Sequence, residues 1–147
     1  MIVFLINLAC TWFMVGLIWI IQIVHYPLFR SVGITEFITF HESHKILISP
    51  VVGFVMIFEL VTTLILLFQT PKGIPIWTVT VSIILLLIIW GSTIFLQIPY
   101  HEKLASGFDK NIYYLLLNTN WIRTVCWSIR GLLVLLMLNF FIIQNTS

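Results

Sequence analysis

Four stretches of this chain, 2–24, 46–68, 76–98 and 121–143, are almost wholly apolar, and polar side chains collect in the short segments between them. With a rise of about 1.5 Å per residue, roughly 20 residues carry a helix across the hydrocarbon core of a bilayer. Membrane-spanning strands need about half that length and alternate apolar with polar positions. These runs are too long and do not alternate. Inside lipid a backbone N–H or C=O finds no water, so each run must satisfy its own hydrogen bonds as a helix. The pattern predicts one all-α domain over 1–147, a four-transmembrane-helix bundle forming an integral membrane protein.

The ends of the runs carry their own signals. In "TFHE", Thr39 to Glu42, a hydroxyl and a carboxylate at capping-box spacing start the second helix near residue 40 and carry it to 68. An alternative start at Thr35 makes "EFITFHESHK" one amphipathic interfacial helix. Asp109 is placed to cap a helix from Lys110 that either joins the fourth span, giving 110–143, or breaks near Asn118. Pro27 and Pro99 read as stops after the first and third helices, "TPKGIP" as a tight turn, and Pro50 as a kink in the second helix. The first run has no basic segment ahead of it and outlasts a signal peptide's apolar core, so it is expected to be a retained helix.

Composition agrees with the pattern. Hydrophobic residues make up 61% of the chain and charged residues 8%, far from soluble averages. The net charge of +2 comes with no basic run that could track a phosphate backbone, so the lipid bilayer and not nucleic acid is the expected partner. Cys10 and Cys126 fall at different depths and read as small buried hydrophobes, not a disulfide. With four crossings both termini share a side. Arg30, Lys45, Lys103, Lys110 and Arg123 gather at the other, against only Lys72 and the amino terminus on the terminal side. The positive-inside rule then predicts termini outside and the two polar loops in the cytoplasm.

The same count of crossings collects the histidines. His25 ends the first helix in "VHYP", His41 and His44 precede the second span in "FHESHK", and His101 follows the third in "IPYH", so all four belong to one membrane face. Imidazoles three residues apart on a helix project from one flank and can share a metal, and imidazole suits Zn, Cu, Fe or Ni, or axial ligation of haem. The alternative is that they are amphipathic residues at headgroup level. Glu59, about 20 Å into the second helix, and Arg130 in the fourth are ionisable groups inside hydrocarbon and call for partners. They read as a structural pair clamping two helices, as a proton or ligand site, or as a protonated Glu59 bonded to a threonine. Asn120, Arg123, Trp127 and Arg130 recur at steps of three, four and three, one helix face that must look into the bundle. Trp12, Gly16, Trp19 and Gln22, and Trp90, Thr93, Gln97 and His101, form similar stripes on the first and third helices. No P-loop, GxGxxG, CxxC or nucleophile elbow is present.

"GLIWIIQIVHYPLF", "FHESHKILISPVVGFVMIFE", "LQIPYHEKLASGFD" and "NTNWIRTVCWSIRGLLVL", one piece from each helix, together resemble the anthrone-oxygenase-like group of small four-helix bacterial membrane proteins. The likeness is most specific where Pro99 and Leu104 are followed by "NWIRT"; where that family commonly has an asparagine after the proline, this chain has Tyr100, His101 and Glu102. The resemblance implies a bacterial cytoplasmic membrane and, from some relatives, metal-free oxygenation of polyketide aromatics. The architecture is also similar, more distantly, to the four-helix protoporphyrinogen oxidase of haem synthesis.

The resulting expectation is a small membrane oxidoreductase or a ligand-binding protein. In it His41 and His44 bind a transition metal, or the histidines bind haem, with His25, His101, Asn120 and Trp127 on the cofactor. Arg123 and Arg130 hold a small hydrophobic or anionic ligand, and Glu59 pairs or relays a proton. A non-enzymatic subunit of a membrane complex, and a proton-coupled transporter acting as a homo-oligomer, are the alternatives.

Overall fold

The computed structural model describes residues 1–146. It contains four helices long and apolar enough to cross a membrane: α1 (Ile2–Ser31), α2 (Ile34–Phe68), α3 (Ile76–Leu104) and α4 (Lys110–Thr146). α1 packs on α2 and α4, and α3 on α4 and α2, closing a ring in which α2 lies diagonally across from α4. The apolar core falls into three layers. Phe4, Leu66, Val79 and Val134 fill the terminal end, and Met14, Ile18, Met56 and Trp127 the middle. Tyr26, Phe29, Phe37 and Leu104 fill the loop end. Outward positions such as Phe54, Leu87, Phe95 and Leu132 are apolar as well, the surface a bilayer requires.

Two helix starts show which local signal prevailed. α2 does not begin at the Thr39–Glu42 box but at Ile34, behind Gly33, whose carbonyl accepts the Glu36 N–H at 3.2 Å. Thr39 sits within the helix, its carbonyl accepting the Ser43 hydroxyl at 2.9 Å. The extra turns bury Phe37 against Phe29 and Phe108, a packing gain that a capping pattern cannot report. α4 does start behind Asp109, whose Oδ1 accepts the N–H groups of Asn111 and Ile112 at 2.8 and 3.0 Å, and it runs unbroken past Asn118.

Neither Pro27 nor Pro99 stops its helix. A proline has no N–H, and its ring collides with the carbonyl four residues back, here Ile23 and Phe95. Both helices open by one residue just before the proline into π turns, Ile21–His25 and Thr93–Gln97. The residue preceding each proline bonds five residues back, Tyr26 N–H to the Ile21 carbonyl and Ile98 N–H to the Thr93 carbonyl. Such turns widen a helix locally and often mark functional sites. They occupy equivalent places: Gly16 precedes Gln22 by six residues, and Gly91 precedes Gln97 by six. Both glutamines are buried and both reach α4. Gln22 donates to the Leu117 carbonyl at 3.2 Å and Gln97 to the Thr119 hydroxyl at 2.9 Å, fixing the stretch just above Arg123.

Candidate functional site

The four histidines meet at the loop end as two cross-helix pairs. Nε2 of His25 lies 2.7 Å from Nδ1 of His44, joining α1 to α2, and Nε2 of His41 lies 3.0 Å from Nδ1 of His101, joining α2 to α3. Nε2 of His101 is 2.9 Å from the Tyr26 hydroxyl. The His44 and His101 rings are 5.5 Å apart, so the pairs form one cluster. In each N···N contact one ring must donate and the other accept, which couples their tautomers. The arrangement follows from local structure. The first π turn places His25 and Tyr26, and the HxxH spacing turns His41 and His44 to one flank of α2. Phe37 stacks on His41 at 5.5 Å and Phe29 meets His44 edge-on at 5.1 Å, walling the cluster in.

Beside the cluster is a cavity of about 240 Å³ between α2 and α3. Tyr26, His44, Trp90, Gln97, His101 and Arg123 supply its polar lining, and Ile48, Val52, Met56 and Ile94 much of its apolar lining. Ile94 and Ile98 belong both to this lining and to the exposed apolar surface, so the cavity borders the outer face of the bundle at the α2–α3 seam. Three of its nitrogens, His44 Nε2, Trp90 Nε1 and Arg123 Nε, are buried and have no hydrogen-bond partner. A buried polar group left unpaired costs about 1–3 kcal/mol. Arg123 is only 5% exposed; Asn120 Oδ1 accepts from it at 3.3 Å and the Trp127 ring lies 5.2 Å away. None of the ion pairs among the described residues includes it.

Deeper in the bundle the second buried arginine has every partner it needs. Arg130 donates Nε and Nη2 to Oε1 of Glu59 at 3.1 and 3.0 Å, and Nη1 to the hydroxyl and carbonyl of Ser82. Thr11 donates to Glu59 Oε1 at 2.9 Å and Trp127 to Oε2 at 3.0 Å. Both charged side chains are fully enclosed. Glu59 and Arg130 thus form a direct, saturated pair between diagonal helices, with no part in the cavity lining.

The predicted residues therefore divide. His44, His101 and Arg123 line the cavity. Asn120 holds Arg123 and also donates to Gln22 at 2.7 Å. Trp127 joins Arg123 to Glu59. His25 lines a second, almost wholly apolar groove of about 360 Å³ between α1 and α2, to which His44 also contributes. His41 and His44 share one flank of α2. Their rings are 6.2 Å apart, and each has one nitrogen within hydrogen-bond distance of a histidine of another helix. Among the described residues no group of three or more His, Cys, Asp or Glu side chains is disposed to hold a metal ion. The tryptophan stripe of α1 also lies further out than its spacing suggests: Trp12 and Trp19 are half-exposed, and Trp19 donates to Ser128 at 3.0 Å. Tyr26 is a site residue that residue chemistry alone passes over, although the paired "HYP" and "PYH" segments were visible.

No family model, curated protein or solved structure matches this chain.

Proposed function

We propose that the protein binds a small apolar molecule with an acidic head, admitted from the bilayer through the α2–α3 seam and held at Arg123. One observation carries this reading: a buried guanidinium lines a cavity together with two further unpartnered polar nitrogens, and among the described residues no carboxylate pairs with it. An uncompensated buried charge is strongly unfavourable, and an anion in the cavity relieves it through charge-assisted hydrogen bonds. The apolar walls and the adjoining seam suit the remainder of such a molecule. The resemblance to anthrone-oxygenase-like proteins implies polyketide aromatics as substrates, which are small and largely apolar as well. Arg30, Lys45, Lys103 and Lys110 lie at the histidine end, which we therefore assign to the cytoplasmic face; a bacterial inner membrane is what the resemblance implies.

The test compares a fluorescent dodecanoate with the matching dodecanol on protein in nanodiscs. The acid is expected to bind at least about tenfold tighter, a difference of roughly 1.4 kcal/mol. Arg123→Met should abolish that preference and Arg123→Lys retain part of it. Equal binding of acid and alcohol by the native protein overturns the reading. A Soret band or stoichiometric metal in protein purified without a histidine tag favours the cofactor-bearing oxidoreductase instead.

A further inference from the structure

Arg123 favours an anion, yet a weak acid crosses hydrocarbon in its neutral form, because a charged group there is costly. A ligand arriving from lipid must lose a proton inside the site before it can pair with Arg123. This inference rests on the ligand reading above. We infer that the His44–His25 pair removes that proton and delivers it to the outside of the bundle.

Both ends of the path are present. His44 lines the ligand cavity, and its buried Nε2 has no partner and is free to accept. Its other nitrogen is 2.7 Å from Nε2 of His25, and His25 is only half-buried at the loop end of α1. The transfer balances without any co-reactant. The ligand O–H bond breaks and its proton forms an N–H bond at His44 Nε2, while the proton on His44 Nδ1 passes to His25 Nε2. His25 releases the proton on its Nδ1 to water. Both rings end neutral with their tautomers exchanged, and the ligand anion is left beside Arg123. Reversal or rotation of the rings resets the pair.

The second histidine pair does not offer the same exit. From the Tyr26 hydroxyl it runs through His101 to His41, which is fully enclosed, is stacked on Phe37, and has an unpartnered Nδ1. It ends inside the protein. The relay is thus assigned to His25, with His41 and His101 shaping the cluster. Tyr26, His41 and His101 face the relay pair, with Arg123 across the cavity. At the rim Lys45 pairs with Glu42 and Glu102 at 3.2 and 3.1 Å, tying α2 to α3.

The test uses an alkylated 7-hydroxycoumarin, a weak acid whose neutral and anionic forms absorb differently, bound to protein in nanodiscs. After a stopped-flow pH jump the deprotonation rate of the bound probe is read directly, and its affinity is measured separately. His25→Gln keeps a hydrogen-bonding side chain but cannot pass a proton. It is expected to slow deprotonation at least about tenfold with affinity unchanged, while His41→Gln leaves the rate within about twofold. For a cavity-creating His25→Gly variant, added imidazole should restore the rate. An unchanged rate in His25→Gln with the probe still bound overturns the relay and leaves the ligand reading intact. A probe that does not bind the native protein overturns both. Should His25→Gln fail to fold, ¹⁵N-histidine spectra of the native protein decide: a scalar coupling between His25 Nε2 and His44 Nδ1 is expected, and two independent rings overturn the relay.

Discussion

Arg130 gives two of its nitrogens to the same carboxylate oxygen of Glu59, across the diagonal of the bundle. Taking either charge out of water is costly, and the pair persists only because Thr11, Trp127 and Ser82 satisfy its remaining positions. Replacing Glu59 with Gln preserves the shape but leaves a buried guanidinium without its counter-charge. The expected loss is about 3–5 kcal/mol, read as a lowered unfolding midpoint in detergent. The double variant Glu59→Gln, Arg130→Met removes the stranded charge and should regain most of that loss. No recovery in the double variant would show that the carboxylate does more than balance Arg130.

The contrast between the two arginines of α4 gives a sharper prediction. Asn120 Oδ1 accepts from Arg123 at 3.3 Å. Asn120→Asp would put a carboxylate at the same place and give Arg123 an internal partner. The substitution is expected to weaken dodecanoate binding at least about tenfold while leaving dodecanol binding near its native value; it also removes the amide donor to Gln22 Oε1, which should lower stability by about 1–3 kcal/mol. Asn120→Ala strands Gln22 Oε1 as well and also leaves an Arg123 nitrogen without its acceptor, so it should lower stability by a similar amount while keeping the preference for dodecanoate over dodecanol. Dodecanoate affinity that is unaffected in Asn120→Asp would mean that Arg123 is not the anion's partner.

The architecture was legible because lipid leaves few options. Four apolar runs of helix-spanning length fix the number of crossings, and their parity alone sends His25, His41, His44 and His101 to one end. The inward face of α4 was readable too, since polar residues spaced by three and four cannot all face lipid. What was not legible depends on relations between helices. Depth along the helices already points Glu59 to Arg130; which side chains complete that pair, Thr11, Trp127 and Ser82, depends on how α1, α3 and α4 sit around it. Pro27 and Pro99 look like ends because a pattern along one chain reports the missing N–H but not the π turn that accommodates it. The cavity is a gap between helices, and a gap leaves no periodic trace. Trp90 therefore appeared only as one member of a stripe, although its unpartnered indole nitrogen lines that gap.

At Gly131, next to the Arg130 anchor, α1 and α4 approach closely. A Cβ at this position would lie 3.1 Å from Val15 Cγ2 and 3.5 Å from the Trp12 ring. Helices in lipid gain little from burying apolar surface against one another, so close backbone approach at small residues supplies much of their association. Two effects compete in Gly131→Ala. The helix gains up to about 1 kcal/mol from losing a glycine, and the tight contact with Val15 costs a similar amount if the side chain must shift. Near-native stability is expected. Gly131→Leu has no such balance, because its added atoms must separate α1 from α4, and a loss of about 1–3 kcal/mol is expected. Separation would also draw Thr11 away from Glu59, since Thr11 stands on the same helix as Trp12 and Val15. Gly131→Leu combined with Thr11→Val should therefore cost less than the two single substitutions added together. Strict additivity of the unfolding free energies would show that the close contact and the buried ion pair are independent.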